Sequence, residues 1–152
     1  MKFYVDTSVW GGHEDEEFEE WTIPFFQQAR QGRFTIVLSD VTLRELLSAP
    51  LEVREMPQSI PEQYLQLVYL TEEQDNLAQQ YIKEGALTPK YETDAHHIAV
   101  ATILKVDSLV SWNFKHMVNF FRINNTIQLI LNLATQPLIF RTPKEVTYGD
   151  DN

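Results

Sequence analysis

Polar side chains that can bind a divalent cation recur at separate points along the sequence, at Asp6, Glu45, Asp94 and Asn113. Carboxylate and amide oxygens are ligands that suit Mg²⁺ and Mn²⁺, which usually keep several of their waters. Clustered carboxylates repel one another, so they need a cation or added protons to coexist. A hydrated cation beside a phosphodiester can supply a hydroxide nucleophile and stabilise the leaving oxygen. These residue types therefore suggest metal-assisted hydrolysis.

Each of these side chains lies where a strand ends or near the start of a helix. Asp6 directly follows the first β-forming run, and Asn113 directly follows the fourth. Asp94 begins the clearest apolar helix of the chain, and Glu45 lies about one turn into the helix after the second strand. In a parallel sheet with right-handed crossovers, strand carboxyl ends and helix starts share one edge. We therefore predict that the four side chains converge across one cleft.

The alternation of strands and helices predicts the scaffold that holds these residues. Short runs of branched and aromatic residues alternate with segments whose apolar residues recur every three or four positions. This order is typical of an α/β fold with a central parallel sheet of about five strands covered on both faces, in three layers α/β/α. The predicted strands are Phe3–Val5, Thr35–Ser39, one within Tyr64–Leu70, Ser108–Trp112 and Leu138–Phe140.

Helices are predicted between these strands from apolar periodicity, capping residues and prolines. Pro24 is expected to kink or divide the first of them. The predicted helices are a segment from about Glu14 to Ala29, one that starts at Ser39 or Asp40 and stops before Pro50, Thr71–Lys83 closed by Gly85, Asp94–Ile103 and Phe120–Leu133.

Length and composition limit the classes of protein that this chain can belong to. Its 152 residues suit one domain, 1–152, with a polar C-terminal tail from about 141. There is no export signal and no apolar run of membrane-spanning length, and the lack of cysteine excludes disulfides and thiolate metal sites, so we expect a cytoplasmic protein. The net charge of −10 does not attract nucleic acid by bulk electrostatics, which leaves solubilising acids or a cation site.

Four runs of the sequence, in their order and spacing, resemble the motifs of the PIN-domain family. The resemblance extends over nearly the whole chain and is strongest to the VapC-like group, the ribonuclease toxins of bacterial type II toxin–antitoxin pairs. The runs are Tyr4-Val5-Asp6-Thr7-Ser8, Thr42-Leu43-Arg44-Glu45-Leu46-Leu47, Thr93-Asp94-Ala95-His96-His97-Ile98-Ala99-Val100-Ala101 and Val110-Ser111-Trp112-Asn113-Phe114-Lys115-His116.

This resemblance implies a three-layer PIN-like fold, Mg²⁺ or Mn²⁺ as cofactor, cleavage of RNA and inhibition by a small antitoxin protein. A homodimer is also expected from it. Matched by position, the acidic residues of the family are Asp6, Glu45 and Asp94 here. The fourth position, usually Asp in the family, is Asn113, which can bind a metal through its carbonyl oxygen or through water but adds no charge. The number of metal ions, one or two, stays open.

Residues beside the motifs suit supporting roles. Thr7 or Ser8 is expected to orient the metal ligands by hydrogen bonding. Arg44 and Lys115 are expected to contact RNA phosphates in spite of the acidic character of the whole chain.

Each candidate ligand also has a structural interpretation, which for Asp6 is that of a solvated residue at the end of a strand. Asp94 is suited to cap its helix, which is compatible with metal binding because a carboxylate has two oxygens. Asn113 is equally suited to cap the next helix. The periodicity around Glu45 does not decide whether its side chain faces the site or the solvent.

Other residues near the motifs are interpreted as structural. His96 and His97 are adjacent on a helix and point in different directions, and His97 reads as a packed or hydrogen-bonding residue. Trp112 can stack on a base, but an aromatic residue that ends a buried strand more often packs in the core. Asp107 precedes its strand, so it is expected at the edge away from the candidate site.

Other functions on a similar sheet match less well. A haloacid-dehalogenase-type phosphatase needs a second Asp two residues after the first, where this chain has Ser8. A phospho-receiver domain needs an Asp after its third strand, where this chain has Leu70-Thr71-Glu72. The remaining alternative is a catalytically weak or inactive PIN-like scaffold that binds RNA or a partner protein, which a metal-dependent cleavage assay would distinguish.

Overall fold

A five-stranded parallel sheet forms the centre of the molecule in a computed structural model that describes residues 1–84, 89–113, 119, 122, 126 and 137–149. Each pair of neighbouring strands is parallel, and the spatial order is β3-β2-β1-β4-β5. The prediction of a parallel sheet of about five strands is confirmed. The strands are β1 Lys2–Val5, β2 Thr35–Ser39, β3 Leu65–Val68, β4 Ser108–Val110 and β5 Phe140–Arg141.

The strand order creates a crevice beside β1. The chain builds outward from β1 through β2 to β3 and then returns to place β4 on the other side of β1. Ligands of open α/β sheets bind at such a reversal, outside the carboxyl ends of the strands. Val5 pairs with Val110, so the segments that follow β1 and β4 leave the sheet side by side.

Helices cover both faces of the sheet, as the α/β/α prediction requires. Thr71 caps one of them through the predicted capping box with Gln74. Among the described residues, no helix combines the length and the apolar character that crossing a membrane requires. The helices are α1 Thr7–Trp10, α2 Glu19–Arg30, α3 Asp40–Leu46, α4 Leu51–Arg54, α5 Glu72–Lys83, α6 Glu92–Ile103 and α7 Pro143–Gly149, with 3₁₀ turns at Gly12–Glu14, Met56–Ser59, Glu62–Tyr64 and Pro89–Tyr91.

Two hydrophobic cores lie on opposite faces of the sheet because successive residues of a strand point to opposite sides. Phe3 and Val5 pack on the core that includes the buried residues of α2, whereas Tyr4 between them packs on the core of α5 and α6. Burying each large apolar side chain contributes about 1.5–3 kcal/mol relative to leaving it exposed. The alternation within β1 thus connects the two cores through a single strand.

Several predicted boundaries differ from the structure. Helix α2 begins at Glu19, later than expected, and it continues past Pro24 without division. Helix α6 begins at Glu92 with Tyr91 as its N-cap, so Asp94 is a first-turn residue and not the cap. The segment that directly follows Asp6 forms the short helix α1, with Asp6 as its N-cap. The predicted Gly85 helix end lies outside the described residues. Within the predicted helix Phe120–Leu133 the structure describes Arg122 and Thr126, which are helical, and Thr126 Oγ1 donates to the carbonyl oxygen of Arg122 at 2.9 Å.

The C-terminal segment is more ordered than the polar tail that the sequence suggested. Arg141 belongs to β5, and α7 follows it with Val146 and Thr147 buried. Thr142 accepts a hydrogen bond from the backbone N–H of Glu145 at 3.1 Å, which satisfies a free donor of the first turn. Sequence periodicity missed this helix because a seven-residue segment offers too few apolar positions to reveal a buried face.

Candidate functional site

Asp6 is fixed at the point where β1 meets the crevice. Its backbone N–H donates to the carbonyl oxygen of Val110 at 3.1 Å, which continues the pairing of β1 with β4. Its Oδ1 accepts hydrogen bonds from the backbone N–H and hydroxyl of Ser8, at 3.0 and 2.5 Å. Burial raises the pKa of Asp6, although the positive charge of His97 and hydrogen bonds from Ser8 and Ser111 oppose this effect.

Ser8 joins the ends of β1 and β4. The backbone N–H of Trp112 donates to Ser8 Oγ at 3.0 Å, and Ser111 Oγ lies 3.4 Å from the same oxygen. The backbone N–H of Asn113 donates to Ser111 Oγ at 3.0 Å. The backbone of Asn113 is therefore connected to Asp6 through Ser111 and Ser8. The helix that Asn113 was predicted to cap lies outside the described part of the chain.

Glu45 points from α3 toward α1 and α6. Its Oε1 accepts hydrogen bonds from Thr7 Oγ1 at 2.6 Å and from His97 Nε2 at 2.5 Å. About a third of the side chain, 35%, remains exposed. Burial pushes the pKa of Glu45 upward, but the hydrogen bond and charge of His97, together with the Thr7 hydrogen bond, bring it below its ordinary value. The interpretation of Glu45 as a residue that faces only solvent is thus excluded.

His97 is the buried residue that connects Glu45 with the sheet. Its Nδ1 lies 2.5 Å from the hydroxyl oxygen of Tyr4, which lies 2.7 Å from Ser39 Oγ. Burial lowers the pKa of His97, but the Tyr4 oxygen, the hydrogen bond and charge of Glu45 and the charge of Asp6 together raise it to about 10. The interpretation of His97 as a hydrogen-bonding residue is confirmed.

Asp94 lies with Asp6 in the wall of one small cavity, together with His97 and Ser111. Glu45 lines a neighbouring and more open cavity, which also includes Arg44 and residues of the first turns of α6. The structure thus places Asp6 and Asp94 in the wall of one cavity, and His97, which also lines that cavity, is hydrogen-bonded to Glu45.

The donor atoms at this edge suit a hard divalent cation. They are carboxylate, hydroxyl and amide oxygens, and Mg²⁺ is commonly bound by one or two carboxylates with water in its other positions. Within the part of the chain that the structure describes, no three His, Asp, Glu or Cys side chains are grouped in a geometry that could hold a metal. Asp6 and Asp94 offer donor atoms of the kind that such a cation binds, and the four-ligand site stays a prediction.

The residues predicted to orient the ligands or to contact RNA can now be compared with their positions in the structure. Both hydroxyls predicted to orient the ligands do form bonds to them, Ser8 to Asp6 and Thr7 to Glu45. Arg44 is exposed at the opening beside Glu45. Lys115 lies outside the described residues. His96 lines the more open cavity with Glu45, and its Nε2 lies 2.8 Å from Asp75 Oδ1 on α5.

Trp112 and Asp107, which the sequence indicated to be structural residues, are structural residues in the fold. The Trp112 ring stacks on Phe18 with ring centroids 4.6 Å apart, and its Nε1 donates to Thr22 Oγ1 at 2.8 Å. Trp112 is 7% exposed, so it is a core residue and not a platform for a base. Asp107 accepts a hydrogen bond from the backbone N–H of Lys2 at 2.7 Å, at the edge away from Asp6 as predicted.

Sequence reasoning missed the hydroxyl of Tyr4 and the link from Ser39 to His97. The only signal in the sequence was a tyrosine within an otherwise apolar buried strand. A buried tyrosine hydroxyl usually finds a hydrogen-bond partner, but the sequence does not name that partner.

The fold is similar to those of solved VapC structures. No protein-family profile and no curated protein sequence matches the chain. The structure of VapBC2 from Rickettsia felis bound to a DNA fragment from its promoter aligns over 93% of this chain and 98% of the matched chain, with TM-score 0.57 and 16% identity. VapC20 from Mycobacterium tuberculosis, described as a Sarcin-Ricin loop cleaving toxin, aligns over 73% and 89%, with TM-score 0.55 and 14% identity. The chain has a VapC-like PIN-domain fold.

Proposed function

We propose that this chain is a metal-dependent endoribonuclease of the PIN-domain type, the toxin of a bacterial type II toxin–antitoxin pair. The observation that carries the proposal is that Asp6 and Asp94 line one cavity at the carboxyl edge of the sheet, beside the reversal of strand order. This edge is where α/β folds bind ligands, and carboxylate oxygens are ligands that suit Mg²⁺ and Mn²⁺. The similarity of fold to VapC structures supports the proposed class of function.

Asp6 and Asp94 would hold Mg²⁺ or Mn²⁺, with Glu45 and Asn113 as further ligands, directly or through water. When bound, such a cation lowers the pKa of a water molecule and stabilises charge on a phosphate. The protein residues provide the orientation. Ser8 holds Asp6 Oδ1 through two hydrogen bonds, while Thr7 and His97 hold Glu45 Oε1.

The RNA would be bound by local contacts, since the net charge of −10 gives no general attraction to phosphate. Arg44 is exposed at the opening beside Glu45, which suits a phosphate contact next to the reacting group. Lys115 is proposed for the same role from its place in the sequence, two residues after Asn113.

A small antitoxin protein, a homodimer and a cytoplasmic location complete this proposal. The similarity to a chain of the VapBC2 structure supports the antitoxin, while the homodimer is proposed from the family resemblance and the cytoplasmic location from the sequence. A second candidate function is a PIN-like scaffold that binds RNA or a partner without cleavage. It is favoured by the neutral Asn113 and by the lack, among the described residues, of a three-residue metal group.

The Asp94→Asn variant tests the proposal. Asn keeps the size and a carbonyl oxygen but removes one charge from the pair, so we expect Mg²⁺-dependent cleavage of a generic RNA to be nearly abolished while the fold is kept. Cleavage is measured across a Mg²⁺ titration, with melting curves alongside. The matched control is Asp107→Asn, the same substitution at the opposite edge, which should cleave like wild type.

Full activity in Asp94→Asn would refute the metal-site mechanism. A wild-type protein that binds RNA but does not cleave it at any Mg²⁺ or Mn²⁺ concentration would support the scaffold instead.

A further inference from the structure

Hydrogen bonds connect Ser39 and Tyr4 in the core with His97 and, through it, with Glu45. We propose that His97 is a positioning residue of the site, which binds Glu45 Oε1 through Nε2 and so reserves Oε2 for the cation. This inference rests on the proposed function, in which Glu45 contributes to a divalent cation site with Asp6 and Asp94.

His97 occupies the position that such a role requires. Its ring lines the cavity of Asp6 and Asp94, and its Nε2 lies 2.5 Å from Glu45 Oε1, which belongs to the neighbouring opening. Only 5% of the His97 side chain is exposed, so water competes little for this bond. The imidazole therefore borders the cavity of the two aspartates and at the same time holds Glu45 at a fixed place beside it.

Both nitrogens of the ring have partners, so its orientation is fixed. Nδ1 is bonded to the Tyr4 hydroxyl at 2.5 Å, and Tyr4 is bonded to Ser39 at 2.7 Å. Ser39 is the N-cap of α3 and accepts a hydrogen bond from the backbone N–H of Thr42 at 3.3 Å. Since Glu45 also belongs to α3, the bonds form a closed loop that starts and ends on this helix and passes through β1 and α6.

The two donors to Glu45 converge on one oxygen. Thr7 Oγ1 donates to Oε1 at 2.6 Å, and His97 Nε2 donates to the same atom. Oε2 receives neither of these bonds. A partly exposed glutamate otherwise samples several rotamers, so two bonds to one oxygen select the conformation in which the other oxygen can bind a cation.

Two substitutions of His97 separate positioning from packing. The amide nitrogen of Gln reaches approximately the place of Nε2, and that of Asn approximately the place of Nδ1. His97→Gln should therefore keep the bond to Glu45 and lose the bond to Tyr4, whereas His97→Asn should do the reverse. The two variants are similar in size and polarity, and a packing role predicts the same effect for both.

The readout is the affinity for Mn²⁺, measured on the whole chain by isothermal titration calorimetry without RNA. Loss of a residue that orients a ligand typically weakens metal affinity about 10–100-fold. We expect that weakening for His97→Asn, and an affinity within about threefold of wild type for His97→Gln. Melting curves should show a comparable decrease for both variants.

A third variant tests the same idea if either His97 variant fails to fold. Thr7→Val removes the other donor to Oε1 at a partly exposed position and should weaken Mn²⁺ binding in the same direction. Equal Mn²⁺ affinity in wild type and all folded variants, or equal weakening in His97→Gln and His97→Asn, overturns the positioning role alone. Wild-type protein that does not bind Mn²⁺ overturns the proposed function together with it.

Discussion

The two faces of the central sheet are built by the same strands but differ in chemistry. On the face covered by α2 and α7, the core consists of aromatic and branched side chains such as Trp10, Phe25 and Phe34. On the face covered by α5 and α6, a similar apolar core contains Tyr4, whose hydroxyl starts the polar chain through His97 to Glu45. The difference indicates that the first face mainly supplies stability, while the second also supports the candidate site.

The hydrogen-bond network from Ser39 through Tyr4 and His97 to Glu45 is compatible with burial because its polar groups bond to one another. Tyr4, Ser39 and His97 are at most 4% exposed, and each of them has a partner within 2.7 Å. A buried polar group without a partner costs about 1–3 kcal/mol, and a connected network avoids that cost. The second face can therefore bury the polar side chains of Tyr4, Ser39 and His97 without a loss of stability.

The largest expected effect is on the aromatic face. Trp10 is completely buried and packs against Phe26 with ring centroids 4.9 Å apart, so Trp10→Ala should lower the free energy of unfolding by about 3–5 kcal/mol. Urea unfolding measures this change. The control Ile23→Ala, at a position 45% exposed on α2, should change stability by less than about 0.5 kcal/mol. A loss below about 1 kcal/mol in Trp10→Ala would contradict the stabilising role of this face.

An intermediate effect is expected on the polar face. Tyr4→Phe keeps the ring but removes the hydroxyl that joins Ser39 to His97, so we expect a loss of about 1–3 kcal/mol in the free energy of unfolding. Tyr69→Phe is the matched control, because Tyr69 is 66% exposed and its hydroxyl should matter little. If both variants unfold at the same urea concentration as wild type, the buried hydrogen bonds of Tyr4 contribute nothing to stability.

The smallest effect on stability is expected at Asn113. Asn113→Asp adds a carboxylate near Asp6, so the metal-free protein should melt a few degrees lower, at about 2–4 °C for each kcal/mol of added repulsion. Mg²⁺ should raise the melting temperature more than in wild type, and cleavage should be preserved or increased at low Mg²⁺. Melting curves in EDTA and in Mg²⁺ measure the difference.

The control for this variant is Asn76→Asp, which makes the same change of charge at an exposed position of α5. Identical melting behaviour of the two variants would show that residue 113 lies away from the cation. Cleavage that appears only in Asn113→Asp would favour the scaffold for the natural chain.

The sequence by itself determined the order of elements and the edge of the sheet where polar residues gather. Strands and long helices were readable because residues that are buried repeat with the period of their element. Asp6 was placed at the candidate site because it follows the strand that starts at Lys2, and Asp107 was placed at the other edge because it precedes its strand. Short elements such as α7 were not predicted, since seven residues give too little periodicity.

Only the tertiary structure decided how the polar residues are paired. Glu45 and His97 are 52 positions apart, and Tyr4 and His97 are 93 positions apart, so no local pattern relates them. Their contact depends on the packing of α3 and α6 against β1, which fixes side-chain directions that periodicity leaves open. A hydrogen bond requires donor and acceptor within about 3 Å at a suitable angle, and that precision arises only when the core packs around both residues.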